Sequence, residues 1–371
     1  MTDSVFEELS SAEESAIEET DLPTPHEEEG ESVLCKNCGA ALVFSPELGK
    51  FNCEFCGSTF TAAELDGVPE DPSVAEDAAF CEALSEFRCP SCGAEVVADD
   101  HTSAEFCAYC GNPVILSGRL SGQHKPAKII PFSLSKEQAI AALKAHLGKK
   151  RMIPKSFFSD ATMDKFTGVY HPFWLTDADT DCAIQATGTH VTVWVSGKRR
   201  YTRTDYYQVW RRGDVHFEDI TTNALSVADK ALLEGVLPYP SDAHIDFDMR
   251  YMSGFYAKKN DLLQKDVADE VKQKMRTYSG QLLSQTASGY HTFRIDKQAV
   301  LVNKSRWEYT LLPIWILHYK YKKKIYHFAV NGLTGKVFGD LPLSRPKFWG
   351  LVGGLFALFT TVFSLIGAFL L

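Results

Sequence analysis

Two stretches, CKNCGAALVFSPELGKFNCEFCG (35–57) and CPSCGAEVVADDHTSAEFCAYCG (89–111), decide the fold of the N-terminal part of this chain. Each contains two CxxC pairs separated by 14 residues, and the second stretch repeats the first at an offset of 54 positions. A fixed offset within one chain indicates two copies of one small fold. The eight cysteines of the repeat are Cys35, Cys38, Cys53, Cys56, Cys89, Cys92, Cys107 and Cys110.

Paired CxxC knuckles are the ligand pattern of a zinc ribbon, because each tight turn presents two sulfurs to one tetrahedral ion. The sequence therefore predicts two zinc ribbons, at 35–60 and 89–116, in which the eight cysteines hold two Zn²⁺ ions. Four thiolates leave no open coordination position, so both sites are predicted to be structural. Iron of the rubredoxin type is the alternative metal. Each ribbon is expected to fold on its own metal, separately from the rest of the chain.

Acidic residues are concentrated near the N-terminus. Residues 1–34 contain twelve acidic residues and no Lys or Arg, and residues 61–88 contain eight acidic residues and one Arg. We expect a disordered acidic tail at 1–34 and an acidic linker at 61–88, with a short helix at 75–87. Residues 1–111 together hold 26 acidic and three basic residues, which disfavours contact with a nucleic-acid backbone and favours a protein partner.

Residues 124–346 combine helical and strand patterns. Ser135 and Gln138 form a capping-box pattern ahead of regularly spaced apolar residues, which predicts the start of a helix. The segments 183–195 and 200–210 are rich in Thr, Val and aromatic residues and are joined by a Ser-Gly-Lys turn. We expect one β-rich domain of the α+β class at 124–346, and the chain as a whole is predicted to be α+β.

The segment FWGLVGGLFALFTTVFSLIGAFLL (348–371) contains 24 residues without a charge. As a helix it is about 36 Å long, enough to cross a hydrocarbon core of about 30 Å. Arg345 and Lys347 precede it, and the positive-inside rule then places the preceding domain in the cytoplasm. The sequence predicts a tail-anchored protein of the cell membrane, with one transmembrane helix at 348–371 and its N-terminal bulk in the cytoplasm.

Other polar patterns do not develop into an active site. Asp177, Asp179 and Asp181 alternate like the start of an EF-hand, but Cys182 and Gly188 stand where that loop needs Gly and Glu. The seven histidines between 171 and 327 show no metalloprotease spacing. No catalytic or cofactor-binding residue is predicted, and we do not expect an enzyme.

The ribbons are followed by YHPFWLTDADT (170–180) and LPIWILHYKYKKKIYHFAVNGLTGKVFGDLP (312–342). With the hydrophobic C-terminal segment, these sequences resemble a bacterial family of TFIIB-type zinc-ribbon membrane proteins, some of which carry a primosomal-helicase-like label. The resemblance covers most of residues 35–371. The helicase label rests on the zinc knuckles, because this chain contains no ATP-binding loop. Family members are membrane-associated, and some are encoded beside phage-shock or flotillin-like (SPFH) proteins, which implies a membrane adaptor.

These observations together predict a membrane-anchored, cytoplasm-facing zinc-ribbon adaptor that binds another protein at the bilayer. An SPFH/flotillin-like or phage-shock-type membrane protein is the partner that the resemblance implies. The alternative is a membrane-tethered, nucleic-acid-associated factor, which a basic groove on 124–346 would favour. A membrane-bound hydrolase is the third reading, and a pocket with convergent Cys, His and Asp would favour it. The oligomeric state stays open.

Overall fold

The computed structural model describes residues 30–65, 84–88, 95–99, 102–106, 112–116, 125–150, 152–154, 166–321, 324–341 and 343–370. These residues form the predicted α+β structure, with one large mixed sheet, two small sheets and several helices. The strands are β1 Gly30–Glu31, β2 Val43–Ser45, β3 Lys50–Asn52, β4 Thr59–Phe60, β5 Leu84–Arg88, β6 Glu95–Asp99, β7 Thr102–Phe106, β8 Pro113–Leu116, β9 Lys128–Ile129, β10 Thr167–Ser196, β11 Arg199–Asn223, β12 Ile245–Asp246, β13 Tyr256–Lys258, β14 Thr292–Tyr321, β15 Lys324–Asn331 and β16 Val337–Gly339. The α-helices are α1 Ala62–Leu65, α2 Lys136–Gly148, α3 Lys230–Gly235, α4 Gln264–Gln285 and α5 Arg345–Leu370, and 3-10 helices lie at Ser241–Ala243 and Met249–Met252.

The large sheet is organised around the long strand β10. It pairs antiparallel with β11 on one side and with β14 on the other, and the strand order is β1-β8-β7-β13-β10-β14-β15-β16. Thr, Val and aromatic residues favour these strands because their side chains fit a pleated surface. The predicted Ser-Gly-Lys turn joins β10 to β11, and Gly197 adopts the positive φ of 62° that such a tight hairpin requires.

Aromatic side chains fill the core around the first part of β10. Phe132 stacks on Phe255 with ring centroids 4.2 Å apart, and it meets Tyr170 and Trp315 edge-on. Gly332 approaches this cluster so closely that a Cβ there would lie 2.7 Å from the Phe132 ring. The cluster therefore fixes the turn between β15 and β16 against β10 and β14.

Helix α2 begins at the predicted capping box. The Ser135 side chain accepts a hydrogen bond from the Gln138 backbone N–H, and the Gln138 side chain accepts one from the Ser135 backbone N–H. These two bonds satisfy amide donors that have no partner inside the helix. The buried face of the helix, with Leu143 and Leu147, packs into the same core.

Beyond this core, β10, β11 and β14 continue as a three-stranded arm. Helix α4 covers one face of the arm, where Val271 and Met275 pack with Cys182 and Ile184. Alternate residues of a strand face opposite sides of a sheet, so the aspartates between 177 and 181 lie on the other, polar face. The arm ends at the hairpin turn that follows Ser196.

Paired structure extends beyond the predicted domain limits. Gly30–Glu31, which the sequence assigns to a disordered tail, pairs antiparallel with residues 115–116. Strand β7, inside the predicted second ribbon, pairs with β13 of the main body. The sequence predicts a helix at 75–87, but residues 84–87 lie in strand β5, which pairs with β6. The first two differences have one cause: backbone hydrogen bonds join segments far apart in the chain, and local composition does not reveal them. Strand β5 instead pairs with a segment close to it in the chain.

The buried side chain of His171 connects the beginning of β10 to the end of β11. The Nε2 atom of His171 lies 3.2 Å from Asn223 Oδ1, and the Asn223 amide donates to the Leu225 carbonyl at 2.7 Å. Burial lowers the pKa of His171 to about 4, although the contact with Asn223 opposes the shift. The imidazole is therefore neutral in the folded protein at pH 5 to 7.

The stability of the chain should fall as the pH falls through the range 6.5 to 4 because of His171. The unfolded histidine binds a proton below its ordinary pKa of about 6.5, whereas the folded one does not until about pH 4. Between pH 7 and pH 5 we expect this group alone to lower the free energy of unfolding by about 2 kcal/mol. Urea unfolding of wild type and of His171→Gln at both pH values checks this, and equal losses in both proteins would contradict it.

Candidate metal centre

Two knuckles of nearly identical backbone geometry hold the cysteines of the first repeat. In the first, the Gly39 N–H donates to the Cys35 carbonyl at 2.8 Å, and in the second the Gly57 N–H donates to the Cys53 carbonyl at 2.8 Å. Both glycines have a positive φ, near 74°, which a side chain would strain. The strands β2, β3 and β4 form a three-stranded antiparallel sheet that carries the knuckles.

The four sulfur atoms of this repeat converge on one point. The ligand atoms of Cys35, Cys38, Cys53 and Cys56 all lie within 4.8 Å of one another. The Sγ atoms of Cys35 and Cys56 are 3.6 Å apart, and those of Cys38 and Cys53 are 3.5 Å apart. A tetrahedral ion with metal–sulfur bonds of about 2.3 Å requires sulfurs about 3.8 Å apart. The four thiols therefore fit a four-coordinate metal ion.

The environment of the sulfurs differs between the two sides of the centre. Cys35 and Cys53 are buried, whereas Cys38 and Cys56 are exposed. The Ser58 hydroxyl lies 3.2 Å from Cys56 Sγ, and hydrogen bonding by its side chain and backbone lowers the pKa of the Cys56 thiol to about 6. The backbone hydrogen bond with Ala40 opposes a rise in the pKa of Cys38, but burial and the contacts with the other three sulfurs raise it to about 12. A lowered thiol pKa favours the thiolate form, which is the form that binds metals.

The module that carries the four cysteines, residues 35–60, is built into the body of the protein. The rings of Phe44 and Phe51 lie 5.0 and 5.6 Å from the ring of Tyr251. The Phe44 backbone N–H donates to the Ser253 carbonyl at 3.0 Å, and a Cβ on Gly254 would lie 2.3 Å from a methyl group of Val43. The sequence predicted a ribbon separate from the 124–346 domain, and the contacts with the 249–254 segment were not foreseen. The signal in the sequence is the high aromatic content of so small a module, which contains four phenylalanines between positions 44 and 60.

The four cysteines of the second repeat, Cys89, Cys92, Cys107 and Cys110, lie outside the described residues. Strands β5, β6 and β7 lie next to them in the chain and belong to two different sheets. The second metal site therefore stays a prediction from the spacing of the cysteines.

The alternating aspartates of β10 make ion pairs and hydrogen bonds within the sheet. Asp181 pairs with Arg212, and Asp179 Oδ1 lies 2.6 Å from His216 Nδ1. The hydrogen bond with Asp179 raises the pKa of His216 above its usual value. These contacts account for the aspartates as part of a solvated sheet face.

The Cys182 thiol also lies in a structural environment. It is buried beneath helix α4, and its Sγ atom is 3.2 Å from Thr180 Oγ1. Burial raises the pKa of this thiol, which favours the neutral form. These surroundings are typical of a packing cysteine.

One helix at the C-terminal end is long and apolar enough to cross a membrane. The qualifying segment is Arg345–Ser364, and none of its most apolar part is buried against the protein. The Lys347 ammonium donates to the Ile153 carbonyl at 2.6 Å, which ties the first turn of α5 to the body. Further along, the helix exposes large side chains such as Phe356 and Phe363.

These features define an α+β protein with a four-cysteine cluster that could hold a metal ion and one apolar C-terminal helix of membrane-spanning length. The chain is 31% identical over 340 residues to the uncharacterized protein YdjG of Bacillus subtilis (strain 168), and the match covers 91% of this chain and 98% of that protein. The chain therefore belongs to the YdjG family. No family model and no solved structure matches it.

Proposed function

We propose that this chain is a membrane-anchored, cytoplasm-facing adaptor that presents a structural zinc module to another protein. The observation that carries the proposal is the firm attachment of the four-cysteine module to a body that continues into an exposed apolar helix. An adaptor needs these two parts: a rigid recognition module and an anchor that keeps it at the bilayer.

Zinc is the metal that we propose for the described centre and for its repeat. Four thiolates complete a tetrahedral zinc shell and leave no position for water or substrate, so the ion has a structural role. The residues around the sulfurs support this role, since two of the cysteines belong to the hydrophobic core. Loss of the ion then changes the shape of the surface that a partner contacts.

The anchor of the proposed adaptor is helix α5. A soluble protein buries a long apolar helix in its core, whereas the most apolar part of this helix is fully outside the body. Arg345 and Lys347 stand at its first turn, which supports a cytoplasmic position for the body by the positive-inside rule.

The exposed surface of the metal-binding module suits a protein partner better than nucleic acid. The module carries Lys36 and Lys50 against Glu47 and Glu54, so it has no excess of positive charge to neutralise phosphates. Phe55, at the tip of the second knuckle, is 83% exposed and offers an apolar anchor of the kind that protein interfaces bury. The family resemblance suggests a flotillin-like or phage-shock-type membrane protein as the partner.

Site-specific photocrosslinking at the knuckle tip tests the proposal. A photoreactive phenylalanine analogue replaces Phe55 in the full chain, and a matched control replaces Val227, a body residue that is 72% exposed. We expect a protein adduct in membranes from the Phe55 position that resists nuclease and disappears when Cys53 is changed to Ser. Equal adducts from both positions, or adducts that nuclease removes, would contradict the adaptor.

A further inference from the structure

The end of the arm is a two-stranded hairpin whose base, at His190 and Val191, contacts Tyr290 and His291 and whose outer part is exposed. We call residues 190–205 the tip hairpin; β14 begins opposite Thr189, so its regular pairing with β10 stops where the tip hairpin starts. Residues 192–204 are exposed on both faces. This exposure distinguishes the tip hairpin from the base of the arm, which helix α4 covers.

Positive charge and apolar side chains are combined on the tip hairpin. Its four basic residues are opposed by one acidic residue, Asp205, which pairs with Arg203 at 2.8 Å. In the part of the chain that the structure describes, no carboxylate pairs with the remaining three basic residues. They are Lys198, Arg199 and Arg200.

An exposed aromatic pair lies beside these cations. The Trp194 ring stacks on the Tyr201 ring with centroids 5.5 Å apart and an interplanar angle of 12°. Val193 and Val195 are exposed on the opposite face of the hairpin. A rigid aromatic pair flanked by unpaired cations is a surface that fits an acidic polypeptide, because it offers both apolar contact and charge.

We propose that the tip hairpin binds the acidic N-terminal segment, residues 1–29, of a second copy of this chain. That segment contains eleven acidic residues and no Lys or Arg, so the chain itself carries the complementary charge in concentrated form. It also contains apolar residues among the acids, such as Phe6, Leu9 and Ile17. The interaction would be charge-assisted and therefore sensitive to salt.

Most acidic residues of the N-terminal segment are too far from the tip hairpin of the same chain to contact it. Glu31 pairs with β8, and the pairing continues across β7 and β13 to Tyr170 of β10. Glu31 and Tyr170 therefore lie at the same level along the strands. Ser196 is 26 residues further along β10, about 85 Å at the rise of an extended strand. A fully extended chain covers at most about 3.6 Å per residue. Along a straight arm, acidic residues after about position 7 therefore cannot reach the turn of the tip hairpin of their own copy.

A contact between the tip of one copy and the N-terminal segment of another is head-to-tail. Such contacts either are exchanged reciprocally between two copies, which closes a dimer, or leave a free tip on one copy and a free acidic segment on the other and continue into chains or rings. The interaction uses none of the metal ligands, and its failure would leave the proposed zinc-dependent adaptor untouched.

Two explanations of this surface need no ligand. Basic side chains on an exposed hairpin prevent edge-to-edge aggregation, and a cross-strand Trp–Tyr pair stabilises the hairpin. Single-stranded nucleic acid and anionic lipid are the other ligands that basic and aromatic residues attract. The acidic segment is favoured over nucleic acid and lipid because every copy of the chain carries it. Its carboxylates would also repel a phosphate backbone that approaches the protein.

Sedimentation of the full chain in neutral detergent tests the proposal. At low salt we expect reversible association into dimers or larger assemblies, which disappears in 1 M NaCl, where the Debye length is about 3 Å. Arg199→Glu/Arg200→Glu should weaken association at least tenfold. The matched control, Lys297→Glu/Lys304→Glu, makes the same charge change on exposed residues of β14 away from the tip hairpin and should associate like wild type. A wild type that does not associate, or two double variants with the same behaviour, would overturn the proposal.

A binding titration separates the possible occupants. A labelled peptide of residues 1–29 is titrated against the full chain at low salt, and single-stranded DNA and anionic vesicles are titrated in parallel. We expect the peptide to bind, and we expect the Arg199→Glu/Arg200→Glu variant to lose that binding. Absence of peptide binding, or binding of only DNA or only vesicles through the same arginines, would assign the tip hairpin to another ligand and refute the second-copy contact.

Discussion

Ending the chain after Pro346 should move the protein almost completely from the membrane fraction to the soluble fraction. The deletion removes nearly all of helix α5, whose most apolar part makes no buried contact with the body. The body loses the hydrogen bond from the Lys347 ammonium to the Ile153 carbonyl and should stay folded. Fractionation of cells followed by a high-salt wash measures the change.

A second truncation provides the matched control. A chain that ends after Ser364 keeps the 20-residue segment Arg345–Ser364, which is still long enough to cross a bilayer. We expect this shorter deletion to stay with the membranes. If the chain ending after Pro346 also pellets and resists the salt wash, helix α5 is not the anchor.

Replacing Cys53 by Ser should remove the metal from the described centre and lower the stability of the whole body. Cys53 is fully buried, and without its thiolate the remaining three cysteines no longer complete the coordination shell. When the module unfolds, Phe44 and Phe51 leave their contacts with Tyr251. Burial of one such side chain contributes about 1.5–3 kcal/mol, so we expect a loss of at least about 3 kcal/mol.

Urea unfolding of the detergent-solubilised chain checks this value against a second cysteine variant. Cys182→Ala removes a buried thiol that lies in the arm, far from the metal ligands, and it should cost roughly 1 kcal/mol without loss of metal. A Cys53→Ser protein as stable as wild type would show that the module does not support the body.

The convergence of Cys35, Cys38, Cys53 and Cys56 could be predicted from the sequence because its geometry is local. Each knuckle is one tight turn whose glycine and cysteines are neighbours in the chain, and 14 residues are enough for a short hairpin to bring the two knuckles together. The capping box at Ser135 is equally local, and it was predicted correctly. Such patterns need no knowledge of the rest of the fold.

The relation between the module and the body could not be predicted in the same way. The hydrogen bond from Phe44 to Ser253 joins segments about 200 residues apart, and no periodicity or motif encodes it. The strand at Gly30–Glu31 forms because its backbone completes the edge of β8, although its composition is that of a disordered tail. Tertiary pairing thus overrides the composition of a short segment.

The metal content of the purified full chain tests the central claim of this account most directly. Elemental analysis of protein prepared without added metal should give two zinc ions per chain, and one in Cys53→Ser. One zinc in wild type and none in Cys53→Ser would support the described centre and refute the second. Iron in place of zinc, or a metal content near zero in wild type, would contradict the structural zinc module on which the proposed adaptor depends.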